Sequence, residues 1–253
     1  MIYKLCILIL LSVQAGAQSL SQNNTIQAVN ITVGNTRLIL PNPIGFGLIT
    51  PNMTEIYEMQ SHFVSEQNLQ FACFMPKAQI QQLGNEPLPK LSRTFRVQTP
   101  KGMETELLTS EQFLKLKESV RKTTDEAFKE IASRQMAKAN TQLEITNSEL
   151  IDLLKHDPDL SLKQAIFVRG MEENKQSISF SMLMKSTIND DNGQPKVSIG
   201  CGTMTYLLIK NKLLFLYAFG EEKDLEWTRT MSTQWARGII SANSLSSVPQ
   251  RHK

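Results

Sequence analysis

Residues 213–219 read Leu-Leu-Phe-Leu-Tyr-Ala-Phe, an apolar run with no polar interruption. It follows the step Lys210-Asn211-Lys212 and a second strand-like run at 196–209. Asn tolerates positive φ, so the step predicts a tight hairpin joining two antiparallel strands. Consecutive side chains of a strand point to opposite faces, so an all-apolar strand needs cover on both. The segment therefore predicts a sheet with a layer packed on each side.

The remaining pattern supplies those layers. Val29–Thr32 and Arg37–Leu40 flank Gly34-Asn35 and predict a first hairpin, ended by Pro41-Asn42-Pro43. A short extended piece at 44–49 leads into Thr50-Pro51, which predicts a helix running to His62 or Ser65. Strands are expected at 69–75 and 94–99, with a brief helix at 77–83 stopped by Gly84. Thr109-Ser110-Glu111-Gln112 has the form of a capping box, and the helix it opens carries Phe113, Leu116, Val120 and Ala127 near helical period. Its charged residues of both signs read as a solvated face. A second such box at Thr146-Asn147-Ser148-Glu149 opens a short helix ended by Asp157-Pro158-Asp159. Strands at 166–171, 177–187, 196–209 and 213–219 form a meander, antiparallel because its connections are too short for crossovers. Asp224 is placed to cap a last helix with Trp227, Met231, Trp235 and Ile239 on one stripe. The expected fold class is α+β, a mainly antiparallel sheet with helices on both faces. One domain is expected over residues 29–243.

The amino end has the three parts of an export signal. Lys4 supplies a positive charge, residues 5–13 are an almost unbroken apolar run, and Ala15-Gly16-Ala17 places small residues at −3 and −1. Cleavage is expected between Ala17 and Gln18. The apolar run is too short to span a bilayer, which takes about 20 residues. Residues 18–28 and 244–253 are polar and expected to be disordered. The protein should then be periplasmic or secreted, with no transmembrane anchor. Sequons at Asn23, Asn30 and Asn52 occur at about the chance level and establish no glycosylation.

Composition narrows the partners. The 253 residues carry 27 Lys+Arg against 24 Asp+Glu, a net charge of +3, too near neutral to argue for nucleic acid. Of three Cys, Cys6 lies in the leader, leaving Cys73 and Cys201 in an oxidising compartment. They form a disulfide if their strands bring the α-carbons within about 7 Å, and are otherwise two buried thiols.

Motifs that carry chemistry are scarce. His62, His156 and His252 are the only histidines, and there is no H-E-x-x-H, paired C-x-x-C or G-x-S-x-G. His156 with Asp157 and Asp159 reads as a polar helix end. Gly200-Cys201-Gly202 lacks the length and Lys of a phosphate loop and marks a bulge or a close approach of strands. The loop at 189–193 lacks the distal Glu of a calcium loop. No cofactor or metal is expected. A dispersed triad through His62 or His156 is the enzymatic alternative. Trp227 and Trp235 on one helix either line a ligand or partner surface or pack the core.

Ile44-Gly45-Phe46-Gly47-Leu48-Ile49-Thr50-Pro51 resembles the opening of the Mog1/PsbP-like fold, and the strand–Lys-Asn-Lys–strand unit before a Trp-bearing helix resembles its close. The carboxyl-terminal part is also similar to uncharacterised secreted bacterial proteins. The Mog1/PsbP-like resemblance covers about residues 29–75 and 166–243. It implies an antiparallel sheet with helices on both faces, and members that bind partners or assist assembly. No catalytic residue comes with it. The expected function is a non-catalytic binding or assembly role with an envelope protein partner, acting through the sheet edge or the Trp helix. The alternatives are a hydrolase with a dispersed site and a carrier of a small apolar ligand.

Overall fold

The computed structural model describes residues 27–62, 64–83, 92–139, 165–189 and 194–244. The expected leader with its Ala17-Gln18 cleavage site, most of the 18–28 segment, the second capping box with His156, and all but Ser244 of the tail lie outside the described residues.

Strands β1 (Ala28–Val33) and β2 (Thr36–Pro41) form a separate hairpin. Its turn needs glycine. Gly34 has φ +57°, and a Cβ there would stand 2.3 Å from the Glu104 carbonyl oxygen. The main sheet contains β3 (Phe46–Leu48), β4 (Asn68–Pro76), β5 (Thr94–Pro100), β6 (Ala165–Glu173), β7 (Ser177–Asn189), β8 (Pro195–Ile209) and β9 (Lys212–Glu221). They run in the order β3-β4-β5-β9-β8-β7-β6, every neighbour antiparallel. Helices α1 (Thr54–Ser61), α2 (Lys77–Ile80), α3 (Ser110–Ala139) and α4 (Leu225–Ser244) complete the α+β fold. Among the described residues, no helix is long and apolar enough to cross a membrane.

The β8–β9 turn is tighter than the three residues of the expected link. Lys210 and Asn211 both take positive φ (46° and 62°), and Lys212 already belongs to β9. Two central residues with positive φ match the right-handed twist of the strands they join. Strand β9 is covered on both faces, as its apolar run requires. Leu214, Leu216 and Ala218 pack with Leu38 and Leu40 of β2 and with Trp235, Ala236 and Ile239 of α4. On the other face Leu213 packs with Phe113 of α3, and Phe215 and Tyr217 lie against the cluster of Val120, Phe180 and Met204.

Thr109 and Gln112 make the expected reciprocal cap at the start of α3. The Gln112 N–H donates to Thr109 Oγ1 (3.2 Å) and the Thr109 N–H to Gln112 Oε1 (2.8 Å). Two local expectations change. Thr50-Pro51 opens a turn, with the Met53 N–H on the Thr50 carbonyl, and α1 begins only at Thr54. Asp224 lies in a 3-10 turn ahead of α4, where its carboxylate accepts from the Glu221 N–H (3.1 Å) and Arg93 Nη2 (2.7 Å).

Of the two readings left open for Cys73 and Cys201, the disulfide does not form; both are free, buried thiols. Cys73 pairs with Arg96, Arg96 with Tyr217, and Tyr217 with Met204, so Cys73 and β8 are three strand spacings apart. At about 4.8 Å per spacing that is roughly 14 Å, far beyond the reach of a disulfide. Cys201 is also an odd number of residues from Met204, which turns its side chain to the opposite face. Burial pushes the Cys73 thiol up to about 11 and the Cys201 thiol up to about 12. Gly200-Cys201-Gly202 makes no bulge; its pairings run without a break. Gly202 is a close approach, since a Cβ there would meet the Phe219 ring at 2.8 Å.

Candidate functional site

Helix α4 separates its two tryptophans. Trp227 is half-buried, stacked on Phe46 with ring centroids 5.9 Å apart and covered by the Arg93 guanidinium at 4.4 Å. Trp235 is buried, with Phe74 and Phe95 edge-on at 5.7 and 5.1 Å. Each such aromatic contact adds about 0.5–1.5 kcal/mol beyond area burial. Both are thus core residues, but Trp235 also forms the wall of an open groove.

The groove lies between α4 and the segment that leaves β2. It encloses about 440 Å³, within the range of small-ligand pockets. Met231, Trp235 and Gly238 form one side, and Pro41, Pro43, Ile44 and Phe46 the other. Ile44 is 81% exposed, an unusual position for a large aliphatic side chain beside a recess. The Trp235 indole N–H donates to the Pro41 carbonyl (2.8 Å) and ties the two sides together. Asn243 secures the same hairpin further along, accepting from the Ile39 N–H (3.0 Å) and donating to its carbonyl (2.8 Å).

Gly238 keeps the groove open. It sits inside α4, where glycine costs about 0.5–1 kcal/mol relative to alanine. A Cβ there would meet nothing within 4 Å. Close packing therefore does not require the glycine. A larger residue would project into free space. The polar groups of the groove are few. Lys77 and Gln234 stand among its lining residues, which include no Asp or Glu. The Asn42 Oδ1 atom is buried and has no hydrogen-bond partner among the described residues.

A second recess of about 260 Å³ lies nearer the start of α4, lined by Glu172, Ser179, Ser181, Thr203, Arg229 and Thr233 among others. Its floor is a ladder of buried hydroxyls. Ser179 Oγ pairs with Thr205 Oγ1 (2.8 Å), Ser181 Oγ with Thr203 Oγ1 (3.0 Å), and Thr203 Oγ1 with Thr228 Oγ1 (2.9 Å). Arg229 Nε donates to Ser181 Oγ (3.0 Å) and Nη1 to Glu226 (2.8 Å). Thr233 donates to Glu172. Among the described residues the ladder hydroxyls bond to one another and to Arg229, and Glu172 accepts from Thr233, so the recess offers both donors and acceptors for hydrogen bonding. Sequence reasoning passed over it. The alternation Ser177, Ser179, Ser181 opposite Thr203 and Thr205 was the available signal.

His62 is exposed at the end of α1 and lines neither recess, and His156 lies outside the described residues. A buried arginine was also not anticipated. Arg96 of β5 donates from Nη2 to Gln60 Oε1 of α1 (2.5 Å), and its guanidinium lies 5.3 Å from the Phe219 ring centre. Compared with known proteins, the sequence matches no family model and no curated protein.

Proposed function

We propose that this chain is an exported, non-catalytic binding protein of the cell envelope that receives an apolar ligand or partner segment in the groove beside Trp235. The observation that carries the reading is the groove itself, with apolar walls, a glycine where a side chain would close it, and a strongly exposed Ile44 at its edge. Exposed apolar recesses of this kind mark interaction sites. An antiparallel sheet with helices on both faces is the architecture that the Mog1/PsbP-like resemblance implies, and members of that fold bind partners or assist assembly.

The test is a titration of the purified protein with apolar fluorescent probes such as 1-anilinonaphthalene-8-sulfonate, followed by tryptophan emission. Saturable binding lost in Gly238→Leu supports the reading. Emission unaffected by any probe, or binding indifferent to that substitution, removes it. Amino-terminal sequencing of the exported protein should begin at Gln18; a retained leader would place the protein elsewhere.

A further inference from the structure

We infer that the groove is filled in the free protein by the chain's own residues 18–26, which an incoming apolar ligand has to displace. The inference rests on the binding role proposed for the groove and adds how that binding is regulated. Three observations point to this segment.

The first is where the segment joins the fold. Gln27 is itself one of the residues that line the groove. Its carbonyl accepts from the Asn42 N–H (2.8 Å), one step beyond the Ala28–Pro41 pair that ends the β1–β2 ladder. That bond pins the backbone at the rim. Residues 18–26 therefore start at the groove, and a chain of that length reaches at most about 30 Å from it. A foreign segment has first to find the site, whereas this one is delivered to it.

The second is composition. Residues 18–26 read Gln-Ser-Leu-Ser-Gln-Asn-Asn-Thr-Ile, with no charged side chain and two large aliphatic ones, Leu20 and Ile26. Pro43, Ile44, Met231 and Trp235 offer them apolar walls, and Gly238 leaves room for a side chain between. Covering the strongly exposed Ile44 removes apolar area from water on both partners.

The third is tethering. A short connection holds a segment near its site at an effective concentration of about millimolar. Even a millimolar intrinsic affinity then fills the groove about half of the time. A separate ligand meets only the open fraction, and its apparent affinity falls in proportion.

The experiment titrates 1-anilinonaphthalene-8-sulfonate into the full chain and into its Leu20→Ser/Ile26→Gln variant, which leaves the charge unchanged. The variant should bind the probe about threefold more tightly, because its segment no longer competes. Leu20→Ser alone, seven residues ahead of Gln27, should give part of that gain and serves if the double variant does not fold. A synthetic peptide of residues 18–26, capped at both ends, should displace the probe from the variant at about millimolar concentration. Equal probe affinity in the native chain and both variants, or a peptide without effect at ten times that concentration, overturns the inference and leaves the groove standing. A native affinity that weakens as the protein concentration rises would assign the occupant to a second copy and overturn it as well. If Gly238→Leu leaves probe binding unaffected in every chain, the groove reading fails with it.

Discussion

Trp235 and Pro41 are joined by a single hydrogen bond of 2.8 Å from the indole N–H to the backbone carbonyl, across 194 positions of chain. The bond fixes the distance between α4 and the segment that follows β2, and so the width of the groove between them. Trp235→Phe keeps an aromatic ring against Phe74 and Phe95 but removes the donor and part of the volume. It should destabilise the protein by about 2–3 kcal/mol, one part from the buried carbonyl left unpaired and one from the space left behind. Urea unfolding checks the loss, and probe affinity should fall with it.

Gly238 should separate stability from binding. Gly238→Ala should raise stability by about 0.5–1 kcal/mol, because the helix gains propensity and the new methyl meets no neighbour. Gly238→Leu should fold equally well yet lose most probe binding, because its side chain projects into the groove. Paired measurements of unfolding temperature and affinity check both. A destabilised alanine variant would mean the glycine serves packing after all.

Acid should weaken the hold of α3 on the β6–β7 turn. Glu173 accepts from Lys117 Nζ (2.6 Å) and, through both oxygens, from Arg121 (2.9 Å each). These cations hold its carboxyl down at about 2. A depressed folded-state pKa stabilises fully above the unfolded value, near 4.3, and loses that contribution as the pH falls through about 2. Glu173→Gln should therefore cost about 1 kcal/mol at pH 7, a value reduced by solvent screening, and nothing below pH 2. Denaturant unfolding of both proteins from pH 7 to pH 2 checks the convergence.

Cys73 and Cys201 should behave as inert thiols. Both are buried, and burial holds each well above its ordinary value, so little thiolate exists at pH 8. Iodoacetamide should label neither in the native protein and both after unfolding. Reductant should leave the unfolding temperature unchanged. A mass two hydrogens lighter in the non-reduced protein would contradict the strand order.

The local patterns were legible where the signal was itself local. The non-alternating run of β9, the Lys210-Asn211 turn, the Thr109-Gln112 cap and the helical stripe of α4 each follow from neighbouring residues and fixed periodicities. The Thr50-Pro51 cap failed for a related reason: a good cap residue makes a helix start favourable there but does not exclude a turn first, and the Thr50 carbonyl closed one.

By itself, then, the order of residues determined that strands would pair with near neighbours and that the sheet would be covered on both sides. These outcomes depend on the alternation of side chains and on short connections, which are properties of adjacent positions. Tertiary structure alone decided which strands would lie between others. It placed β5 and β9 between Cys73 and Cys201 and put the two thiols on opposite faces. It also set Asn42, Lys77 and Gly238 around one groove. No pairwise spacing encodes such a meeting, because residues far apart in the chain come together only once the whole core has closed and chosen a single packing.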